Sequence, residues 1–327
     1  MKPRVYIDGQ AGTTGLQIRE RLAPRADLAL LEIEGSRRKD AAARTELLRS
    51  ADVAILCLPD EASREAVRLA GDAPVRFLDA STAHRVADGW VYGLPELTPG
   101  QRDAIRTAKL VTNPGCYPTG VILLLRPLVD AGFVARDAAI AVHALSGYSG
   151  GGRQMIERWE DPATQLATLP FEAPYALDKE HKHVPEMTRY AGLAHQPQFV
   201  PAVGPFRCGM RIEIPLHAAV LPGGITAARL HAALVERYVN EPFVRVQPFS
   251  TSVPADERAF DPRAANGTNR IDLWVLPHPL GHVLLVATLD NLGKGAAGAA
   301  VQNLNLMLGC AEVSGLEPGA PGSSAAA

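Results

Sequence analysis

Cysteine is scarce in this chain, and how it is spread argues against a disulfide framework. Cys57, Cys116, Cys208 and Cys310 lie far apart in 327 residues and form no C-x-x-C pair, a pattern that fits reduced thiols in the cytoplasm. Charge of one sign is lacking too. Charged residues make up 21% of the chain and the net charge is −2, which leaves no electrostatic case for nucleic acid or an acidic membrane as partner. No hydrophobic run can span a bilayer, because Val121 to Val129 is interrupted by Arg126 and Pro127. The opening Met1-Lys-Pro-Arg-Val-Tyr-Ile-Asp8 has no apolar signal region, and no internal repeat is found. The expectation is a cytoplasmic protein of about two domains, with a flexible Gly-, Pro-, Ser- and Ala-rich tail over 314–327.

Against those absences stands a strongly patterned first third. Arg4-Val-Tyr-Ile-Asp8 reads as a strand, Gly9-Gln-Ala-Gly12-Thr-Thr-Gly15 as a glycine turn, and Leu16 to Leu22 as an amphipathic helix. Strand, glycines and helix N-terminus form a phosphate cradle for a dinucleotide; an ordinary tight βα turn is the plainer alternative. The second strand, Leu28 to Glu34, runs into Gly35-Ser36-Arg37-Arg38-Lys39. Arginine forks at that position match a 2′-phosphate and favour NADP(H), although a solvated basic turn would look the same. Helix Ala41 to Ser50, the apolar strand Asp52 to Leu58, helix Glu61 to Ala70 and strand Val75 to Asp79 continue the alternation. A parallel sheet covered on both faces follows. Cys57 reads as core, while Pro59 and Asp60 stand at a carboxyl edge where ligands bind. Asp79-Ala-Ser81-Thr82-Ala-His84-Arg85 gathers polar groups at a strand exit; facing the cofactor or substrate is one reading, and local capping by Asp79, Ser81 and Thr82 is a sufficient explanation.

The stretch Asn113-Pro-Gly-Cys116-Tyr-Pro118-Thr-Gly120 lies between a short strand from Lys109 and an apolar helical pattern to Val129. Cys116 therefore sits at a helix start, where unpaired N–H groups and the helix dipole favour a thiolate nucleophile; a small buried hydrophobe is the alternative. Beyond it, strand Ala138 to Leu145 leads into Ser146-Gly147-Tyr148-Ser149-Gly150-Gly151-Gly152-Arg153, either a ligand loop with Arg153 holding an anion or an interdomain linker. His181-Lys-His183 precedes a proline-started helix. Metal ligation, acid/base work and a surface role all suit such a pair, but no further His/Cys/Asp cluster has ligand spacing, and no metal is expected. Strands from Arg207 to Ile214, Arg270 to Leu276 and Val283 to Leu289, with helix Ala227 to Tyr238, describe an α+β domain with a mainly antiparallel sheet. Asp290-Asn291-Leu-Gly293-Lys-Gly295-Ala-Ala-Gly298 then opens a helix to Leu308 that returns to the first domain. The fold class is α/β, a Rossmann-type doubly wound parallel sheet over 1–115 with about 291–313, plus a catalytic and oligomerisation domain over 116–290.

The motifs Gly9 to Leu22, Asn113 to Thr119, Ser146 to Gly150, His181 to Glu186 and Asp290 to Gly298 together resemble the N-acetyl-gamma-glutamyl-phosphate reductase family in its shorter (type 2) form, over residues 2 to about 313. The resemblance implies NADPH-dependent reduction of an acyl phosphate to an aldehyde in arginine biosynthesis, by a small-molecule enzyme that is a dimer or tetramer. It implies Cys116 as nucleophile and His181 or His183 as acid/base. It places the cofactor on Gly9, Gly12, Thr13, Thr14, Gly15, Ser36, Arg37, Cys57, Pro59, Asn291 and Gly293. Arg85, Asn113, Ser146, Gly147 and Arg153 are the implied substrate contacts. An aspartate-semialdehyde dehydrogenase, a reductase for a carrier-bound acyl phosphate, and a non-catalytic NADP(H) sensor are the rival readings.

Overall fold

A computed structural model describes residues 2–161, 163, 168–252 and 256–317. The chain divides into two compact units. One comprises the chain up to Gly115 together with Ala296–Leu316, and the other runs from Cys116 to Gly295.

In the first unit, strands β1 (Arg4–Asp8), β2 (Ala29–Leu31), β3 (Val53–Leu56), β4 (Arg76–Asp79), β5 (Val91–Tyr92) and β6 (Leu110–Thr112) form one parallel sheet in the order β2-β1-β3-β4-β6-β5. Helices α1 (Thr13–Leu22), α2 (Ala41–Ser50), α3 (Asp60–Ala70) and α4 (Gln101–Thr107) connect them, joined by a returning helix, Gly298–Met307. All four residues of β3 are buried, as a strand covered on both faces requires. The returning helix packs beside α1 and α4 and onto β4. Arg76 fastens it: the guanidinium donates to the carbonyls of Ile105, Arg106 and Met307, and its Nε to that of Ala108. Strand order reverses at β1, which is flanked by β2 and β3, so the carboxyl ends of β1 and β3 mark the crevice used for ligands in open α/β sheets.

In the second unit, α5 (Cys116–Asp130) is the central element. Leu123, Leu124 and Leu125 are fully buried, each worth roughly 1.5–3 kcal/mol in burial. Around it lie β7 (Ala141–Gly147), α6 (Arg153–Glu160), β8 (Ala173–Pro174), α7 (Val184–Ala191), β9 (Gln198–Gly204), β10 (Met210–Leu216), α8 (Ala227–Tyr238), β11 (Val244–Val246), β12 (Ile271–Pro277) and β13 (Val283–Leu289). The strands form a mixed sheet, β11-β12-β13-β10-β7-β9-β8. Helix α5 packs against α7, α8, β10 and β13. Gly120 permits that approach, since a Cβ there would lie 2.3 Å from Ile212 Cδ1.

The expected doubly wound sheet and a second, α+β unit are present. The sheet of the second unit is less uniformly antiparallel than its strand pattern predicts, because β7 pairs with β9, and β11 with β12, in parallel. The strand expected over Leu28 to Glu34 keeps only three residues, since Gln10 Nε2 takes the Ile33 carbonyl and Gly35–Arg37 coils into a 3-10 turn. The Ser146–Gly152 segment is more ordered than a linker: Ser146 and Gly147 complete β7, Tyr148–Gly151 is a 3-10 turn and Arg153 opens α6. A π-turn, Gly293–Ala297, precedes the returning helix. Of the tail expected over 314–327, Leu316 is buried and the Ser314 carbonyl accepts from Arg25, while 318–327 lies outside the described residues. Among the described residues no helix is long and apolar enough to cross a membrane.

Candidate active site

The cradle is built as its glycines require. Gly9 leaves β1 at φ +90°, and a Cβ there would stand 2.2 Å from the Cys57 carbonyl oxygen; one on Gly15 would stand 2.4 Å from the Gly9 carbonyl. Backbone thus crosses backbone where side chains would collide. Gly12 is the N-cap of α1 and supplies no side-chain cap, so the first-turn N–H groups, with Thr13 and Thr14 at their start, are left to a ligand. Behind the cradle, Asp8 is held by Arg44 Nε and Nη2 at 3.1 and 3.0 Å, with the pair almost wholly buried. Ser36 and Arg37 are exposed on their 3-10 turn, where Arg37 makes only a 3.4 Å contact with Asp40. Cys57 lies against Gly9 at the end of β3. Burial, with the nearby Asp79 and Asp8 carboxylates, pushes its thiol up to about 12, which makes it inert. Pro59 is exposed at the start of α3. These features fit a dinucleotide pyrophosphate.

In the second unit, Cys116 is half-buried, in no disulfide, and is the first residue of α5. Gly295 packs on it so closely that a Cβ would be 2.8 Å from Cys116 Cβ. Tyr117 is buried, and its hydroxyl accepts from that of Tyr175 at 3.2 Å. Tyr175 in turn meets His181 Nε2 at 3.4 Å, and the His183 backbone N–H donates to His181 Nδ1 at 3.2 Å. The imidazoles of His181 and His183 are 4.8 Å apart, and both lie within 6 Å of the Tyr117 ring. Burial pushes both phenols upward, Tyr175 to about 12, and negative charge on Cys116 adds to the effect in each. Thiol, phenols and imidazoles are therefore one electrostatic cluster, with the hydroxyls neutral donors at physiological pH. Ala176, next to Tyr175, adopts φ +54°, a left-handed conformation costing roughly 1–2 kcal/mol in a non-glycine residue.

The remaining expected contacts scatter. Ser146 is buried, its Oγ donating to the Gly147 carbonyl at 3.1 Å, and Gly147 leaves no room for a Cβ against the Arg207 carbonyl. Asn291 is buried, accepting from the Gly209 N–H at 2.8 Å and donating to Ser149 Oγ at 3.0 Å. A Cβ on Gly293 would meet the Thr268 carbonyl oxygen at 2.2 Å. Arg153 is exposed and paired with Glu157 at 3.1 Å. In the first unit, Arg85 is buried with Nη2 donating to the Ala80 carbonyl. Asn113 donates to the Ala296 carbonyl and accepts from Asn303 Nδ2. Tyr175 has no motif to announce it, and neither does Arg44. The polar run at the exit of β4 closes into a pair, with Asp79 Oδ2 2.6 Å from His84 Nδ1. Among the described residues no three His, Cys, Asp or Glu side chains converge as a metal site.

Residues 4–108 match the semialdehyde dehydrogenase NAD binding domain, and residues 116–291 match the semialdehyde dehydrogenase dimerisation domain. Aspartate semialdehyde dehydrogenase II from Vibrio cholerae shares the fold, with a TM-score of 0.70 at 17% identity over 94% of this chain and 98% of that one. The fold is that of the semialdehyde dehydrogenase class. Within it, an N-acetyl-gamma-glutamyl-phosphate reductase of Burkholderia orbicola is 52% identical over 94% of this chain and 97% of its own. N-acetyl-gamma-glutamyl-phosphate reductase 2 of Nostoc sp. is 49% identical over 96% and 99%. The chain belongs to the N-acetyl-gamma-glutamyl-phosphate reductase family, as its motifs imply.

Proposed function

We propose that the chain reduces N-acetyl-L-glutamyl 5-phosphate with NADPH to N-acetyl-L-glutamate 5-semialdehyde and phosphate, in arginine biosynthesis. The observation that carries this reading is Cys116 at the start of α5 within one cluster with Tyr117, Tyr175, His181 and His183. The first unit is the cofactor domain, with Gly9, Gly12, Thr13, Thr14 and Gly15 on the pyrophosphate and Ser36 and Arg37 on the 2′-phosphate. The second is the catalytic and oligomerisation domain. Its relation to a dimerisation domain supports a homo-oligomer, a dimer or tetramer, acting in the cytoplasm.

The nicotinamide, when bound, supplies hydride. Everything else falls to side chains. Cys116 thiolate attacks the carbonyl carbon and phosphate leaves, giving a thioester on Cys116. After reduction the thiohemiacetal collapses, and Cys116 departs as thiolate. The N–H groups at the start of α5 face the developing oxyanion, where a single donor is worth roughly 3 kcal/mol. His183 exchanges the proton with the hemiacetal oxygen, and His181 orients the Tyr175–Tyr117 hydroxyls. Ser146, Gly147, Asn113, Arg85 and Arg153 bind substrate.

The test is NADP+ reduction with N-acetylglutamate semialdehyde and phosphate, set against aspartate semialdehyde and phosphate. Turnover with the first aldehyde alone is expected. Cys116→Ser is expected to bind NADPH and lose turnover; near-normal activity in that variant would exclude covalent catalysis.

A further inference from the structure

Tyr175 joins the Tyr117 hydroxyl to His181, yet the segment that carries it is lightly held. Residues 171–178 add only the two-residue β8 to the edge of the sheet, opposite Val203 and Ala202 of β9, and the Tyr175 N–H donates to the Pro201 carbonyl at 3.0 Å. Phe171 and Leu177 are exposed, and Ala176 is strained at φ +54°. A segment with so few buried apolar contacts opens readily.

One further contact ties it down. Glu172, the residue before β8, reaches across β9 to His143 of β7, with Glu172 Oε1 3.0 Å from His143 Nε2. The other ring nitrogen, Nδ1, lies 3.0 Å from Oε2 of Glu213, its register partner on β10. Glu213 Oε1 in turn meets Arg211 Nε at 3.0 Å. On the β9 side the register partner of His143 is Val200, which is apolar. Glu172, Glu213 and, behind Glu213, Arg211 are thus the charged groups that face the ring among the described residues. With a carboxylate at each nitrogen, only the doubly protonated ring donates at both; a neutral ring has a single proton to share. Deprotonation also removes the positive charge from between the two carboxylates. Glu213 keeps Arg211, whereas Glu172 has no other partner among the described residues.

We propose that His143, charged and bridging Glu213 to Glu172, is a positioning residue for Tyr175. It clasps residues 171–178 to the sheet and so holds the Tyr175 hydroxyl on Tyr117 and His181. All of these groups belong to the second unit, and the part the clasp plays in turnover rests on the reductase reading above. The sign follows from the ring's charge: the clasp is closed while His143 is protonated and opens as pH rises through the range in which imidazoles titrate.

Two measurements test it. The first needs no turnover: hydrogen exchange of the peptide bearing the Tyr175 amide, expressed as a protection factor so that the intrinsic effect of pH cancels. In the unaltered chain, protection is expected to be about two- to fivefold higher at about pH 5.5 than at about pH 9, the worth of a partly exposed ion pair. His143→Gln is expected to show the lower protection at both pH values. Glu172→Gln, which leaves β7 untouched, is expected to match it and guards against a folding defect of the first variant. His143→Arg, whose charge does not titrate, is expected to keep the higher protection at both. Equal protection at the two pH values in the unaltered chain overturns the proposal. So does a pH dependence that persists in His143→Gln, which would assign it to another group, His181 foremost. The second measurement is a double-variant cycle on kcat for NADP+ reduction with N-acetylglutamate semialdehyde and phosphate at about pH 5.5, where His143→Gln is expected to lose about two- to fivefold. Combined with Tyr175→Phe, it is expected to lose no more than Tyr175→Phe alone, because both act through one hydroxyl. Additive losses overturn the positioning role. No turnover in the unaltered chain overturns the reductase reading, and the exchange measurement still decides the clasp.

Discussion

The backbone N–H of His183 donates to Nδ1 of His181 at 3.2 Å, which makes the two histidines of the H-x-H motif chemically unequal. With Nδ1 an acceptor, neutral His181 carries its proton on Nε2, and that nitrogen faces the Tyr175 hydroxyl. Protonating His181 fully would forfeit the bond from His183. His181 is thereby suited to orient hydroxyls, and His183, buried at the N-cap of α7, to cycle a proton.

Substitution separates the roles. His183→Asn is expected to lower kcat roughly 100-fold or more, the usual worth of a general acid/base. His181→Asn keeps an acceptor near the Nδ1 position and loses the hydrogen bond to Tyr175, so about a tenfold loss is expected, matching one hydrogen bond of about 1.4 kcal/mol. Tyr175→Phe is expected to match His181→Asn. Equal losses in the two histidine variants, measured as kcat at saturating substrate, would refute the division of labour.

Gly9→Ala probes the cradle alone. The added methyl meets the Cys57 carbonyl oxygen at 2.2 Å from a backbone at φ +90°, and no flexible side chain is there to yield. NADPH binding, read by fluorescence, is expected to fall at least tenfold. Iodoacetamide labelling of Cys116 should continue at its original rate, because that thiol belongs to the other unit. Cys57 should stay unlabelled in both proteins, its thiol being raised to about 12. Labelling of Cys57, whose protection comes from burial, would indicate global unfolding instead of a damaged cradle.

Legibility in the sequence followed the physics of each signal. Helices Ala41–Ser50 and Ala227–Tyr238 were readable to the residue because a side chain marks each start, Asp40 and Thr226 accepting from the first turns. The cradle and the Cys116 turn were readable because glycine and proline are demanded there by backbone geometry. Strands such as Gln198–Gly204 and the helix Arg153–Glu160 escaped notice: the first holds two internal small or imino residues, and the second starts from a glycine run with no capping side chain. Tyr175 and Arg44 are hidden for another reason. Their roles come from hydrogen bonds formed only once the chain has folded, and no local spacing encodes them.

Arg44 carries the stability of the cofactor unit at one point. Its guanidinium holds Asp8 with two hydrogen bonds and reaches Glu65 at 2.9 Å. Removing one member of a buried pair strands the other charge, at a cost of about 3–5 kcal/mol. Arg44→Ala is therefore expected to lower the urea midpoint of the first unit sharply. Adding Asp8→Asn should recover part of the loss by removing the orphaned charge. A double variant no better than the single would show that packing of the Arg44 stem, and not charge, is what matters.

A pH dependence should arise at the β12–β13 hairpin. His282 accepts the Ala218 N–H on Nδ1 at 3.0 Å and stacks with His217 and His278 at 4.3 and 5.3 Å. Desolvation first, and then repulsion from these two rings, hold its pKa below the ordinary value of 6.5. A histidine whose folded value is depressed favours folding while it is neutral. Its contribution is complete above the unfolded value and is lost as pH falls through the folded one, because the unfolded chain takes up the proton first. The melting temperature of the unaltered chain is expected to drop between about pH 8 and about pH 5, and His282→Gln, which keeps an acceptor for Ala218 but cannot titrate, should drop less. An identical fall in both proteins would assign the acid sensitivity to other groups.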